Sequence, residues 1–182
     1  MDLTQTTSID DLLITLSQKR REHSLSTARV AAYLCLRFGL DAEKGRLAGL
    51  LHDSMKEKNI DEQWQLAELG ANLMHDGLVS AAVQEFRDGE DFGSKMIHGP
   101  AAAGYLFCRA GWTDMETLEA IALHSSAFEA MTPLCKVLYV ADKLEPSREY
   151  VGLGEARALQ TDDLDALFFC AIGHVVEYLK SK

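Results

Sequence analysis

Leu47-Ala48-Gly49-Leu50-Leu51-His52-Asp53-Ser54-Met55-Lys56 is the stretch whose reading decides the fold. An apolar, small-residue helix runs straight into an adjacent His-Asp pair. Lys56 follows one turn on, at i+4 from His52 and i+3 from Asp53. Burying an imidazole beside a carboxylate is costly unless something compensates both. A divalent cation does so, taking imidazole nitrogen and carboxylate oxygen as ligands. The lysine is then placed to hold an anion against it. Gly45 and Gly49 lie one turn apart with Ala48 beside them; they cost helix propensity, so close packing against another helix explains them. A buried helix that ends in such a pair needs other helix ends to meet it.

Upstream, Asp41 caps this helix, expected over 42–53. Before it, Leu25, Ala28, Ala32, Cys35 and Leu36 share one face of a helix that stops at Gly39 and has His23 at its start. A short helix from Ser8 uses Ile9, Leu12, Leu13 and Leu16, after a frayed start over 1–8. Downstream, 57–95 is least legible. Helices are expected over Gln63 to Leu69 and Val79 to Phe86, with an acidic turn-rich loop from Asp88 to Gly93. A second pair, His75-Asp76, has no strong apolar helix before it and Val79 where Lys56 stands in the first, so it reads as an exposed turn.

Pro100 in Ile97-His98-Gly99-Pro100 opens a helix with His98 at its N-terminus and Gly111 at its end. Asp114 starts the next, on Leu118, Ile121 and Ala122, and delivers His124. Pro133 opens another, with Leu134, Val137, Leu138 and Ala141 inward and Asp142 at the end. An aspartate after such an apolar run is a natural metal ligand. Glu145-Pro146-Ser147-Arg148 makes a turn carrying a cation. Asp162 caps the last helix, whose stripe is Leu164, Leu167, Phe168, Ala171, Ile172, Val175 and Leu179. Phe169, Cys170 and Val176 lie off that stripe. The helix is therefore buried on two sides or meets a second subunit, and a homodimer is one expectation; His174 reads as packing or surface. With no strand pattern, repeat or linker, the fold class expected is all-α: one domain over 1–182, core roughly 9–180, with about eight to ten helices.

Composition narrows the function. Of 182 residues, 47% are apolar and 25% charged, an ordinary soluble globule. No apolar run approaches the ~18 residues of a membrane span, and the N-terminus lacks a secretory pattern. A net charge of −10 argues against a general nucleic-acid or anionic-membrane binder. It leaves room for a small phosphorylated substrate beside a few aimed cations. Cys35, Cys108, Cys135 and Cys170 have no C-x-x-C spacing, which favours packed, reduced thiols in a cytoplasmic protein over disulfides or a zinc site.

His23, His52, Asp53, His98, His124 and Asp142 come from five segments, all at helix ends. A His/Asp set without cysteine suits Fe(II), Mn(II), Co(II) or Zn(II). With Asp53 bridging, two ions about 3.5–4 Å apart would activate a hydroxide for attack on phosphorus.

This order of residues on a helical chain resembles the HD-domain metal-dependent phosphohydrolases. Arg20-x-x-His23-Ser24, Ala48-Gly49-Leu50-Leu51-His52-Asp53-x-x-Lys56, His98-Gly99 and Ala141-Asp142-x-Leu144-Glu145-Pro146-x-Arg148-x-Tyr150 resemble more closely the bacterial YqeK-type symmetrical diadenosine tetraphosphate hydrolases. The resemblance covers nearly the whole chain. It implies cleavage of diadenosine tetraphosphate to two ADP, with Asp53 and Lys56 catalytic. It implies a first metal, iron, on His23, His52, Asp53 and Asp142, while His98 and His124 either complete a second metal site or bind substrate phosphates. It also puts Arg20, His23, Lys56, Lys136 and Arg148, with Ser125 and Ser126, on phosphate or nucleotide. Three departures stand out: Ser125-Ser126-Ala127 where the family usually has Thr-Thr-Gly, Met55 where it has alanine, and a longer 57–95 segment. They keep another nucleotide open as substrate. The doubly apolar last helix and the acidity keep open a non-catalytic interaction protein.

Overall fold

Helix α2 (Gln18–Arg37) and helix α3 (Ala42–Leu51) pack so closely that a Cβ on Gly49 would lie 2.5 Å from Ala28 Cα. The chain turns between them at Gly39, with φ of +72°, a left-handed position that suits glycine. The computed structural model describes residues 8–128, 130–148, 153–159 and 161–180, except the side chains of 90–92. Residues 1–7 of the expected frayed start, and Tyr150 of the Asp142 motif, lie outside them. Eleven helices and no strand occur among the described residues.

Local sequence explains most boundaries. Ser8 caps α1 (Ile9–Ile14) in a capping box with Asp11. Ser17 caps α2 and Asp41 caps α3. Asn59 caps α4 (Ile60–Met74). That helix ends on left-handed His75, and Asp76 caps α5 (Gly77–Asp88), so this second His-Asp pair is a turn with His75 exposed. Helices α6 (Glu90–Met96), α7 (His98–Cys108) and α8 (Met115–Leu123) follow. Thr132 caps α9 (Pro133–Leu144), with Pro133 in its first turn. Two more helices are α10 (Leu153–Ala158) and α11 (Leu164–Lys180).

Helix α8 sits against α3, α7 and α9, and α9 also meets α2 and α11. Ala101, Leu118, Ile121, Val137, Leu138 and Ala141 are buried among them. Helices α4 and α7 cross through two glycines: a Cβ on Gly70 would lie 2.6 Å from Gly104 Cα, and one on Gly104 would run into the Leu66 carbonyl. Gly104→Ala is therefore expected to destabilise the protein by about 1–3 kcal/mol through overpacking, read as a lower urea midpoint. An unchanged midpoint would mean the two helices can separate freely.

Several expectations need correction. Helix α2 starts at Gln18, not at His23, because Ser17 caps it and the polar run 19–23 forms its first turns. Asp88 to Gly93 is not a loop; Glu90 begins α6, and Gly93 rests against the Phe86 carbonyl, where any Cβ would collide. Asp163, not Asp162, caps α11, its carboxylate accepting from Asp165 N at 2.9 Å and Ala166 N at 3.2 Å. Helix α11 is buried on one side rather than two: Leu167, Phe168 and Ala171 are covered, while Phe169 is 65% exposed. The short α6 and α10 raise the helix number above the expected eight to ten. The four cysteines are free thiols, Cys35 and Cys135 fully buried. No described helix is long and apolar enough to cross a membrane.

Candidate metal centre

Five elements bring the six His and Asp residues to one point. His52 and Asp53 leave the end of α3, His124 follows the last turn of α8, and His98 begins α7. His23 lies in the second turn of α2 and Asp142 in the last turn of α9. All six are buried.

Each imidazole turns Nδ1 towards an acceptor. His52 Nδ1 meets the Gly49 carbonyl at 2.8 Å and His124 Nδ1 the Ile121 carbonyl at 2.8 Å. His98 Nδ1 meets the Lys95 carbonyl at 3.0 Å, and His23 Nδ1 the Glu145 carboxylate at 3.1 Å. At His23, His52 and His124 such acceptors favour the proton on Nδ1 and leave Nε2 as a lone pair; His98 Nδ1 faces both the Lys95 carbonyl and Lys56 Nζ. The four Nε2 atoms face inward as two pairs, His23 with His52 at 3.2 Å and His98 with His124 at 3.0 Å. Asp53 spans both pairs. Its Oδ2 is 3.7 Å from His23 Nε2 and 3.5 Å from His52 Nε2. Its Oδ1 is 3.1 Å from His98 Nε2 and 3.7 Å from His124 Nε2. Asp142 Oδ1 completes the first pair, 3.0 Å from His23 and 3.8 Å from His52.

Lone pairs and carboxylate oxygens this close repel one another unless cations sit among them. Two groups, His23-His52-Asp142 and His52-Asp53-His124, have ligand atoms within 4.8 Å of one another. Imidazole and carboxylate donors without thiolate suit a divalent metal. The cluster thus fits a divalent metal site.

Cations ring the cluster. Arg20 Nη1 donates to Asp53 Oδ2 at 2.5 Å, and Arg148 Nη2 to Asp142 Oδ1 at 2.5 Å. Lys143 Nζ donates to Asp142 Oδ2 at 2.6 Å. Lys56 Nζ lies 2.9 Å from His98 Nδ1 and donates to the Lys95 carbonyl at 3.0 Å. All four cations, with Asp53, His98, His124 and Ser125, line one cavity of about 280 Å³.

Burial works against charge on Asp53, but the His52 and His98 rings hold its carboxyl well below the usual range. Burial is likewise outweighed at Asp142, by the Lys143 ammonium, the His23 ring and the Arg148 guanidinium. Burial pushes His52 and His98 down, against the pull of the Asp53 charge. His124 lies well below its ordinary value through burial and the neighbouring His52 and His98. Burial also pushes the Lys56 ammonium down to about 8.

These shifts predict a pH effect. Below the ordinary histidine value of 6.5, the unfolded chain takes up protons that the folded, metal-free protein refuses at His52, His98 and His124. Their contribution is complete above 6.5 and is lost as pH falls towards their folded values. The two aspartates contribute above 3.8, so their share is lost only at lower pH. Chelator-treated protein is expected to show a lower urea midpoint at pH 5.5 than at pH 7.5. Equal midpoints would mean these rings take up protons in the folded state.

The structure brings Arg20, His23, Lys56, His98, His124, Ser125 and Arg148 together around the Asp53 carboxylate. Lys136 and Ser126 are not brought to the cavity. Lys136 Nζ donates to Asp165 at 2.6 Å, and the Ser126 hydroxyl to the Leu123 carbonyl at 3.2 Å. Sequence reasoning missed Glu145 as the partner of His23, and Lys143 as a cavity cation. Glu145 is fully buried, and its carboxylate also accepts from Ser147 N at 2.9 Å and from the Ser147 hydroxyl. A usable signal existed: a ligating histidine needs an acceptor at its other nitrogen, and Glu145 stands three residues after Asp142.

Residues 20–147 match the HD domain family, and the chain belongs to it. Among its relatives, the Bacillus subtilis (strain 168) "Bis(5'-nucleosyl)-tetraphosphatase, symmetrical" is 30% identical over 170 residues, 92% of this chain and 83% of that protein. The Staphylococcus aureus protein of the same name is 32% identical over 145 residues, 78% of this chain and 66% of that one. A solved structure described as a predicted HD superfamily hydrolase involved in NAD metabolism, from Clostridium acetobutylicum, superposes with a TM-score of 0.75. It is 28% identical, with 95% of this chain and 86% of that chain covered.

Proposed function

We propose that this chain is a metal-dependent phosphohydrolase that cleaves diadenosine tetraphosphate symmetrically, giving two ADP. The observation that carries the reading is the Asp53 carboxylate facing two pairs of inward Nε2 atoms under a rim of four cations. The relatives named as symmetrical tetraphosphatases supply the substrate. His23, His52, Asp53 and Asp142 would hold a first ion, and His98 and His124 either a second ion or the substrate phosphates. A divalent metal there, iron first with manganese, cobalt or zinc as alternatives, would supply a Lewis acid and would lower the pKa of a water towards ~7.

The chain's own residues do the rest. Arg20, Lys56, Lys143 and Arg148 neutralise the phosphates and the charge that builds on the departing group. The Ser125 hydroxyl, now 3.3 Å from the Met96 carbonyl, is placed to turn towards a phosphate oxygen. Water oxygen joins one inner phosphorus and gives up its proton to solvent, the central P–O bond breaks, and the bridging oxygen leaves on the other ADP.

The test is incubation of anaerobically purified, metal-quantified protein with diadenosine tetraphosphate. ADP alone is expected, lost with chelator and restored by Fe(II) or Mn(II). AMP plus ATP, or free phosphate, would overturn symmetric cleavage.

A further inference from the structure

One wall of the cavity has no task in holding metal or phosphate. Phe168, Ala171, Val175 and Tyr178 follow one another on α11 at spacings of three, four and three residues, which keeps them on one face. In the first half of the helix that face is core. Phe168 and Ala171 are buried, and the Phe168 ring meets the Tyr139 ring edge-on with centroids 5.2 Å apart. Further along, the same apolar face reaches the cavity. Val175, Tyr178 and Leu179 line the cavity that holds Asp53 and Asp142, and Tyr139 of α9 lies in the same wall. Leu179 is 57% exposed there.

Lys143 joins the two halves of this cavity. Its ammonium is 2.6 Å from Asp142 Oδ2 and 4.8 Å from the Tyr139 ring centroid. Metal ligands and cations form one side, two tyrosines and two aliphatic side chains the other. A bare polyphosphate would use the first side alone. A ligand that carries a flat aromatic ring one sugar away from its phosphates meets both.

We infer that Tyr178, Val175 and Leu179 of α11, with Tyr139 of α9, form a nucleobase subsite, where one base stacks while its phosphates reach the cations. The inference rests on the proposed reading that the site acts on nucleotides, and assigns which residues recognise the base. Specificity for nucleotides over bare phosphates then resides in the last helix, outside the metal ligands.

The test is calorimetric titration of the Mn(II)-loaded protein with ADP and with methyl diphosphate, which carries the phosphates without the base. Wild type should bind ADP more tightly than methyl diphosphate. Tyr178→Ala should weaken ADP about 5- to 150-fold, the range stacking gives on alanine substitution, and leave methyl diphosphate unchanged. Tyr178→Phe should retain ADP affinity. Leu179→Ala, at an exposed position with little bearing on folding, should weaken ADP in the same selective way. Phe169→Ala, on the outer side of the helix, should change neither ligand. Equal loss for both ligands would overturn the subsite. So would unchanged ADP binding in both Tyr178→Ala and Leu179→Ala, or wild type binding ADP no tighter than methyl diphosphate. Binding is read without turnover, so failure to hydrolyse diadenosine tetraphosphate would strike the proposed reaction alone.

Discussion

Asp53→Asn is expected to strip metal from both halves of the centre and to lower kcat by about three orders of magnitude or more. Asp53 is the residue whose two oxygens face different imidazole pairs, Oδ2 towards His23 and His52, Oδ1 towards His98 and His124. Asparagine fits the same space but carries one oxygen and one NH2. Arg20 donates to the Oδ2 position, so the amide oxygen takes that side. The NH2 then points at His98 Nε2, 3.1 Å from the present oxygen, and donates to the lone pair a metal needs. One half is plugged and the other loses its anion. A Lewis acid supplies several kcal/mol of charge stabilisation, and each 1.36 kcal/mol is a factor of ten in rate. Metal content by elemental analysis and kcat by ADP release should fall together, while far-ultraviolet circular dichroism stays unchanged. Retention of both metal and full activity would rule out Asp53 as the shared ligand. Asp142→Asn offers a contrast, because Asp142 lies on the His23–His52 half alone.

The His/Asp cluster was legible because its chemistry shows in residue type. Histidines and aspartates that end apolar helices have few stable fates other than a shared cation, so His52, Asp53, His124 and Asp142 stand out in a linear reading. Register along a helix was harder. Lys136 and Lys143 both lie on α9, seven residues and roughly 10 Å apart along the axis. Only the assembled fold shows that Asp165 takes the first and Asp142 the second. Helix α6 was hidden by glycines and acids that usually mark a turn, yet Gly93 is there to let α6 rest on the end of α5. The use of α11 was also out of reach. Its apolar stripe is continuous in sequence, but only the assembled fold shows that Val175, Tyr178 and Leu179 line the cavity that holds Asp53. Glu145 belongs with these. A glutamate before a proline reads as the end of a helix, and its role follows from the direction of His23 Nδ1, which is a fact of tertiary structure.

Glu145→Gln is accordingly the second large effect expected, a loss of 10–100-fold in metal affinity or activity, the range seen when a ligating histidine loses its outer partner. The Glu145 carboxylate accepts from His23 Nδ1 on one oxygen and from Ser147 N on the other. Glutamine fills the same volume with one acceptor and one donor, so it cannot serve both. If its oxygen stays with Ser147, its NH2 faces His23 Nδ1. The ring then relieves the clash by moving its proton to Nε2, which removes the lone pair from the first metal position. If the oxygen stays with His23, the NH2 faces Ser147 N–H, and the turn that carries Arg148 is pushed away from Asp142. Both outcomes weaken the His23–Asp142 half and spare His98 and His124. Metal titration of activity should therefore shift 10–100-fold, and kcat at saturating metal should recover further than in Asp53→Asn, where no concentration of metal restores the shared carboxylate. Glu145→Ala should add a folding cost of about 1–3 kcal/mol, since buried donors lose their acceptor altogether. An unshifted metal titration in Glu145→Gln would mean that His23 keeps its tautomer without this carboxylate.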